Sequence, residues 1–172
     1  MHHVAIRSAI GALLLAGCSF GFTGGGLPPA IRTVAITPFE NDTSDPTIAQ
    51  QVDLAVREAM QRRLGLRSAA ESQADAVVRG RITRYLPDEP LAYTGTPSTN
   101  PGRSTNTVQV TKRQVQVTID IEIVEQESGR TLWIRRALTR SGEYDPGREA
   151  EGRRKALQLL VNDIVDGAQS QW

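Results

Sequence analysis

The sequence predicts an α+β fold: a two-layer sandwich whose four-stranded mixed sheet carries two helices on one face, in the order β-α-β-β-β-α. Three observations point there. Val115, Val117, Ile119, Ile121 and Ile123 alternate with Gln116, Thr118, Asp120 and Glu122, the pattern of a strand buried on one face and wet on the other. Two stretches repeat apolar residues at three-and-four spacing, as amphipathic helices do. One strand-like run precedes the first helix and three lie between the helices, which predicts a crossover into a parallel neighbour followed by an antiparallel meander.

The first strand lies within Ile31 to Phe39, where Val34 and Ile36 alternate with Thr33, Ala35 and Thr37 before Pro38 ends the run. Asn41 to Asp45 has the composition of a turn. Asp45-Pro46 then supplies an N-cap and a first-turn proline, and Ile48, Val52, Ala55, Val56, Ala59, Met60 and Leu64 form the stripe of a helix closed by Gly65. A second strand starts near Ala74, with Ala76, Val78 and Ile82 inward and Arg79, Arg81 and Thr83 outward, and runs to about Tyr85. Pro87 to Thr105, with four prolines among Gly, Ser, Thr and Asn, reads as a long irregular segment. Val108 and Val110 have the opposite parity to the third strand, which predicts a bulge or a break near Thr111 to Gln114. Glu127-Ser128-Gly129-Arg130 is a hairpin turn into a fourth strand, in which Leu132, Ile134 and Leu138 face one way and Trp133, Arg135 and Ala137 the other. Asp145-Pro146 repeats the cap-plus-proline signal. Ala156, Leu157, Leu160, Val161, Ile164, Val165 and Ala168 make the stripe of the last helix.

Ahead of this domain stands Leu15-Ala16-Gly17-Cys18, preceded by Arg7 and a short apolar run from Ala9. That is the layout of a bacterial lipoprotein signal, and the run is too short to span a bilayer, which takes roughly 20 apolar residues. Three regions are expected: a cleaved signal peptide over 1–17, a lipidated flexible tether over 18–30, and one α+β domain over 31–172. Cys18 would carry a diacylglycerol and an N-terminal acyl chain, a durable anchor where one chain is marginal. Ser19 after the cysteine matches lipoproteins sorted to the outer membrane, on its periplasmic side.

The expected mature chain is neutral, because Arg7 leaves with the signal and nineteen basic residues then face nineteen acidic ones. Non-specific nucleic-acid binding has no electrostatic support. His2 and His3 fall in the cleaved segment and Cys18 is the only cysteine. The mature domain therefore has no imidazole and no free thiol for nucleophilic catalysis or the usual zinc sites, and no internal disulfide. Asp120, Glu122 and Glu125 lie on a solvated strand face, and Gly24-Gly25-Gly26 precedes a strand with no Lys-Ser/Thr after it, so it is a linker. No enzyme, cofactor or metal is expected. The candidate contact surface for a glycolipid phosphate or an acidic protein wall is Arg79, Arg81, Trp133, Arg135 and Arg136, with Arg140 nearby. The competing reading is that these arginines pair with Asp120 and Glu122 on an ordinary wet face.

Beyond these patterns, the lipobox, Gly21-Phe22-Thr23-Gly24-Gly25-Gly26-Leu27-Pro28, Ile31-Arg32-Thr33-Val34-Ala35-Ile36 and Pro38-Phe39-Glu40-Asn41, followed by a capped helix, resemble the LptE family of lipopolysaccharide-assembly lipoproteins. Ala74-Asp75-Ala76-Val77-Val78-Arg79-Gly80 and Ser128-Gly129-Arg130-Thr131-Leu132-Trp133 are similar to that family too. The resemblance implies a sandwich lodged in the outer-membrane β-barrel protein LptD, acting as plug, assembly aid and lipopolysaccharide-binding element. The segment Pro87 to Thr105 departs from it by its length. Val34 to Asn41 also resembles the opening strand of other periplasmic lipoproteins, including curli-type secretion-pore subunits and activators of cell-wall synthases.

Overall fold

The computed structural model describes residues 27–95 and 109–170, so the predicted signal, Cys18 and most of the tether lie outside the described residues. Its strands are β1 (Thr33–Ile36), β2 (Glu40–Asn41), β3 (Arg67–Ser68), β4 (Ala76–Thr94), β5 (Gln109–Glu125) and β6 (Thr131–Tyr144). Its helices are α1 (Pro46–Leu64) and α2 (Glu149–Ser170), and a single 3₁₀ turn covers Glu71–Gln73. The sheet runs β3-β1-β4-β5-β6, with β2 also paired to β4. The β1–β3, β1–β4 and β2–β4 pairs are parallel, while β4–β5 and β5–β6 are antiparallel. The α+β sandwich and the parallel crossover are thus as expected. The sheet has six strands and not four, because β2 and β3 are two residues each, too short to show an alternation.

Local chemistry sets the element ends. Asp45 caps α1, its carboxylate accepting the Thr47 N–H at 2.8 Å, and Gly65 closes the helix at φ 67°, where a Cβ is disfavoured. Ile48, Val52, Val56 and Met60 of α1 meet Ala156, Leu160, Ile164 and Ala168 of α2 over one sheet face made by Val34, Ile36, Val78, Ile82 and the odd positions Val115 to Ile123. Burying a Val- or Ile-sized side chain contributes roughly 1.5–3 kcal/mol, so this shared core is the main source of stability. At the start of β1, the Asp75 carboxylate accepts the N–H groups of Arg32 and Thr33 at 2.9 and 2.8 Å and the Thr33 hydroxyl at 2.8 Å. These bonds hold its pKa below the ordinary 3.8.

Three expectations need correction. β4 continues from Ala76 to Thr94, well past Tyr85, so the first part of the Pro87 to Thr105 segment is strand and not irregular loop. Among the described residues no strand pairs with the outer edge of β4 past Ile82, and prolines are tolerated on such an edge because they have no N–H to leave unpaired. The predicted bulge is present: pairing steps from Ala92↔Lys112 to Tyr93↔Val110 and leaves Thr111 over, whereas Val108 lies outside the described residues. In β6, Trp133 is buried and Ile134 is 44% exposed, the reverse of the predicted parity. Trp133 stands opposite Ile123 on the helix-covered face, and a Cβ on Gly167 of α2 would overlap its indole. Finally, Asp145-Pro146 does not cap α2. Gly147 turns at φ 86°, the helix starts at Glu149, and the Asp145 carboxylate accepts from Lys112 Nζ at 2.6 Å instead.

The far end of the sheet is tied down by Tyr144. Its hydroxyl donates to Asp88 Oδ1 at 2.7 Å and lies 2.9 Å from the Pro87 carbonyl, while Arg113 pairs with the same Asp88 carboxylate at 2.5 Å. Burial, aided by the Asp88 charge, pushes the Tyr144 phenol up to about 12.

Candidate functional site

The helices cover one side of the sheet; on the other, Ala69 and Ala74 cover Ala35 and Val77, and the rest of that side is open among the described residues. Because strand side chains alternate, the residues between the core positions share that open side: Arg79 beside Glu122, Arg81 beside Asp120, and Arg84 beside Thr118, which is paired in turn with Thr139. β6 adds Arg136, next to a backbone irregularity. Ala137 sits at φ 49° and donates its N–H to Asp120 Oδ1 at 2.8 Å, and the pairing slips between Ile121↔Arg135 and Ile119↔Leu138. By ordinary alternation Arg135 faces the helices and Arg136 the open side, 3.6 Å from Asp120, while the bulge makes Ala137 the extra residue and returns Leu138 to the helix side.

Arg79, Arg81 and Arg136 therefore come together, lining a shallow depression of about 200 Å³ with Glu40, Asp120 and Glu122. Each has a carboxylate partner. Arg79 pairs with Glu71 at 3.1 Å, and Arg81 pairs with Glu40 and, at 3.5 Å, with Asp42. All these groups are at least a quarter exposed, so the pairs are individually weak, worth about 0–1 kcal/mol, and exchange partners readily. The face is a lattice of ion pairs and not a bare basic patch.

Trp133 and Arg135 do not belong to this group. Trp133 is core, and Arg135 stands opposite Ile121 on the helix side, opening on a depression shared with Leu138, Arg140 and Asp163, where Arg140 pairs with Asp163. The residues missed in the sequence are Arg84 and the Thr118–Thr139 pair, whose hydroxyls are 2.9 Å apart. The β4 register shifts between Ile82 and Arg84, which makes Thr83 the extra residue and returns Arg84 to the open side; strict alternation hides it. Among the described residues Arg84 has no carboxylate partner. No group of His, Cys, Asp and Glu able to hold a metal ion occurs among the described residues, and no described helix is long and apolar enough to cross a membrane.

A second concavity lies on the outer side of the helix layer. It is a groove of about 520 Å³ between α1 and α2, lined by residues of those two helices alone.

A family model described as LptE, lipopolysaccharide-assembly, matches residues 31–168. No curated protein matches the chain. Among solved structures, the PelC dodecamer of Paraburkholderia phytofirmans is similar at 16% identity and TM-score 0.50, covering 87% of this chain and 96% of its own. A hypothetical protein of Chlamydia trachomatis is similar at 11% identity and TM-score 0.52, covering 81% and 96%. A Xanthomonas campestris protein is similar at 10% identity and TM-score 0.51, covering 82% and 88%. At such identities these likenesses speak for the fold alone.

Proposed function

Since the chain belongs to the LptE lipopolysaccharide-assembly family, we propose that it is a non-catalytic outer-membrane lipoprotein, anchored through Cys18, that plugs and helps assemble an LptD-like β-barrel inserting lipopolysaccharide into the outer leaflet. The family match across nearly the whole domain carries this reading. The open sheet face is the surface that meets the barrel wall. A wall of mixed side chains can exchange partners with ion pairs already in place, one carboxylate for another, at little net desolvation cost. A phosphate-rich glycolipid would instead have to compete with Glu40, Asp42, Glu71 and Asp120 for the arginines. Protein, and not lipopolysaccharide, is therefore the direct contact of Arg79, Arg81 and Arg136.

Affinity purification of the tagged lipoprotein from solubilised outer membrane tests the proposal. One large β-barrel protein is expected at one-to-one stoichiometry, and Arg84→Glu combined with Arg136→Glu is expected to lower its recovery without altering the unfolding midpoint of the isolated domain by more than a few degrees. Recovery of a homo-oligomeric ring, or of a cell-wall synthase in place of a barrel, would overturn it.

A further inference from the structure

The groove between α1 and α2 has no part in the reading above. Its floor is apolar, made by Ala55 and Ala59 on α1 and by Leu157 and Val161 on α2. Its walls carry Arg62, Arg63, Arg153 and Arg154. Arginine stems are three methylenes long and lie along apolar surface, so these walls extend the apolar lining, while the Arg63 head crosses to Asn162 and Asp166 of α2 and the Arg153 head turns to Tyr85 and Glu149. A volume near 520 Å³ lies within the range of roughly 300–1,000 Å³ typical of small-molecule sites.

The described chain enters the fold near the C-terminal end of α1. Leu27, the first described residue, packs against the main core. Five residues on, the Arg32 carbonyl accepts the N–H of Arg67, just beyond the Gly65 cap of α1. Gln61 in the last turn of α1 donates to Ser68 at 2.7 Å, and Arg63 reaches Asn162 and Asp166 of α2 at 2.7 and 3.3 Å. The tether thus joins the fold beside the end of α1 that bears Arg62 and Arg63. Nine residue steps separate Cys18 from Leu27, an extended reach of about 30 Å, which matches the roughly 28 Å length of a 19-residue helix.

We propose that the groove is the intramolecular seat of an acyl chain carried on Cys18, holding that chain out of water whenever the protein is not inserted in a membrane. This rests on the lipoprotein reading of Cys18. A tethered occupant sits at an effective concentration in the millimolar range, which no free amphiphile of the compartment needs to match. Seating on the membrane empties the groove, because the bilayer covers the chain more completely.

The single cysteine makes the test direct. The mature chain, made without its signal, is alkylated at Cys18 with a maleimide bearing a sixteen-carbon chain and a terminal diazirine, then irradiated in detergent-free buffer and mapped by peptide mass spectrometry. Adducts are expected within residues 51–63 and 150–162 of a monomer. Gln51→Trp and Ala55→Trp, which fill the groove from its rim and its floor, are expected to abolish those adducts and shift the alkylated protein to a self-associated species; circular dichroism shows which variant retains the fold. Adducts confined to other surfaces, or unchanged by either folded variant, would overturn the proposal. So would groove binding of added free palmitate that leaves the tethered chain's adducts elsewhere. Failure of the lipoprotein reading is seen separately, as a cell-made protein whose intact mass lacks the lipid.

Discussion

Tyr144 shows how one side chain joins three parts of the fold. Its ring packs against Gly152, where a Cβ would overlap it, and its hydroxyl holds Asp88 at the far end of β4. Tyr144→Phe keeps the ring and removes the hydroxyl, so it is expected to cost about 1–2 kcal/mol in urea unfolding at pH 7. The alkaline limb should change too. A phenol whose folded pKa is raised from 10 to about 12 stabilises the fold fully below pH 10, and that contribution is lost as pH rises toward 12. The phenylalanine variant should lose less stability than the parent between pH 10 and 12, a difference read from parallel denaturation midpoints. Lys112, whose pKa is raised by its bond to Asp145, adds a loss of the same sign that both proteins share.

At the scale of elements, legibility follows from length and from whether a signal is local. α1 was readable from Asp45 to Gly65 because its cap, first-turn proline, stripe and closing glycine agree. Asp45→Ala is accordingly expected to cost about 1 kcal/mol, measured by thermal or urea unfolding. Asp145-Pro146 carries the same two letters and means something else, because a nearby lysine on β5 takes the carboxylate and Gly147 turns the chain first. The fourth strand misled for a related reason. Its apolar residues Leu132, Trp133 and Ile134 are consecutive, so alternation could be read in either phase, and only the pairing of Trp133 with Ile123 decides it. Of the candidate contact residues, Arg79, Arg81 and Arg136 share a surface while Trp133 and Arg135 do not, since alternation places positions 133 and 135 on the helix side and only the phase of the strand, set by its pairing, tells which side that is.

For the whole molecule, acid stability sums over carboxylates at both ends of the sheet. Asp75 is held below 3.8 chiefly by the Arg32 N–H, Asp88 by the Tyr144 hydroxyl and then Arg113, and Asp145 by Lys112. A depressed folded pKa contributes stability that is present above 3.8 and lost as pH falls through the folded value. Asp53, which accepts the Phe39 N–H at 3.0 Å, is raised by burial and works in the opposite direction. Asp45 and Glu125 are depressed too, by Thr47 and by Ser128, so five groups against one predict a net loss of stability below pH 4, with the urea midpoint falling between pH 4 and pH 2; Asp75→Asn should flatten that fall.

The kink at Ala137 also bears on how copies of this protein avoid one another. β6 is the last strand of the sheet, fourteen residues with no partner on its outer side among the described residues, and such a row of free amide and carbonyl groups invites another chain to extend the ladder. At Ala137 the backbone leaves the extended region and turns its N–H inward to Asp120. The row is broken into two short runs, each too brief to template a long added strand. A residue held at a positive φ for that purpose guards the molecule against fibrous self-association before it reaches its place of work.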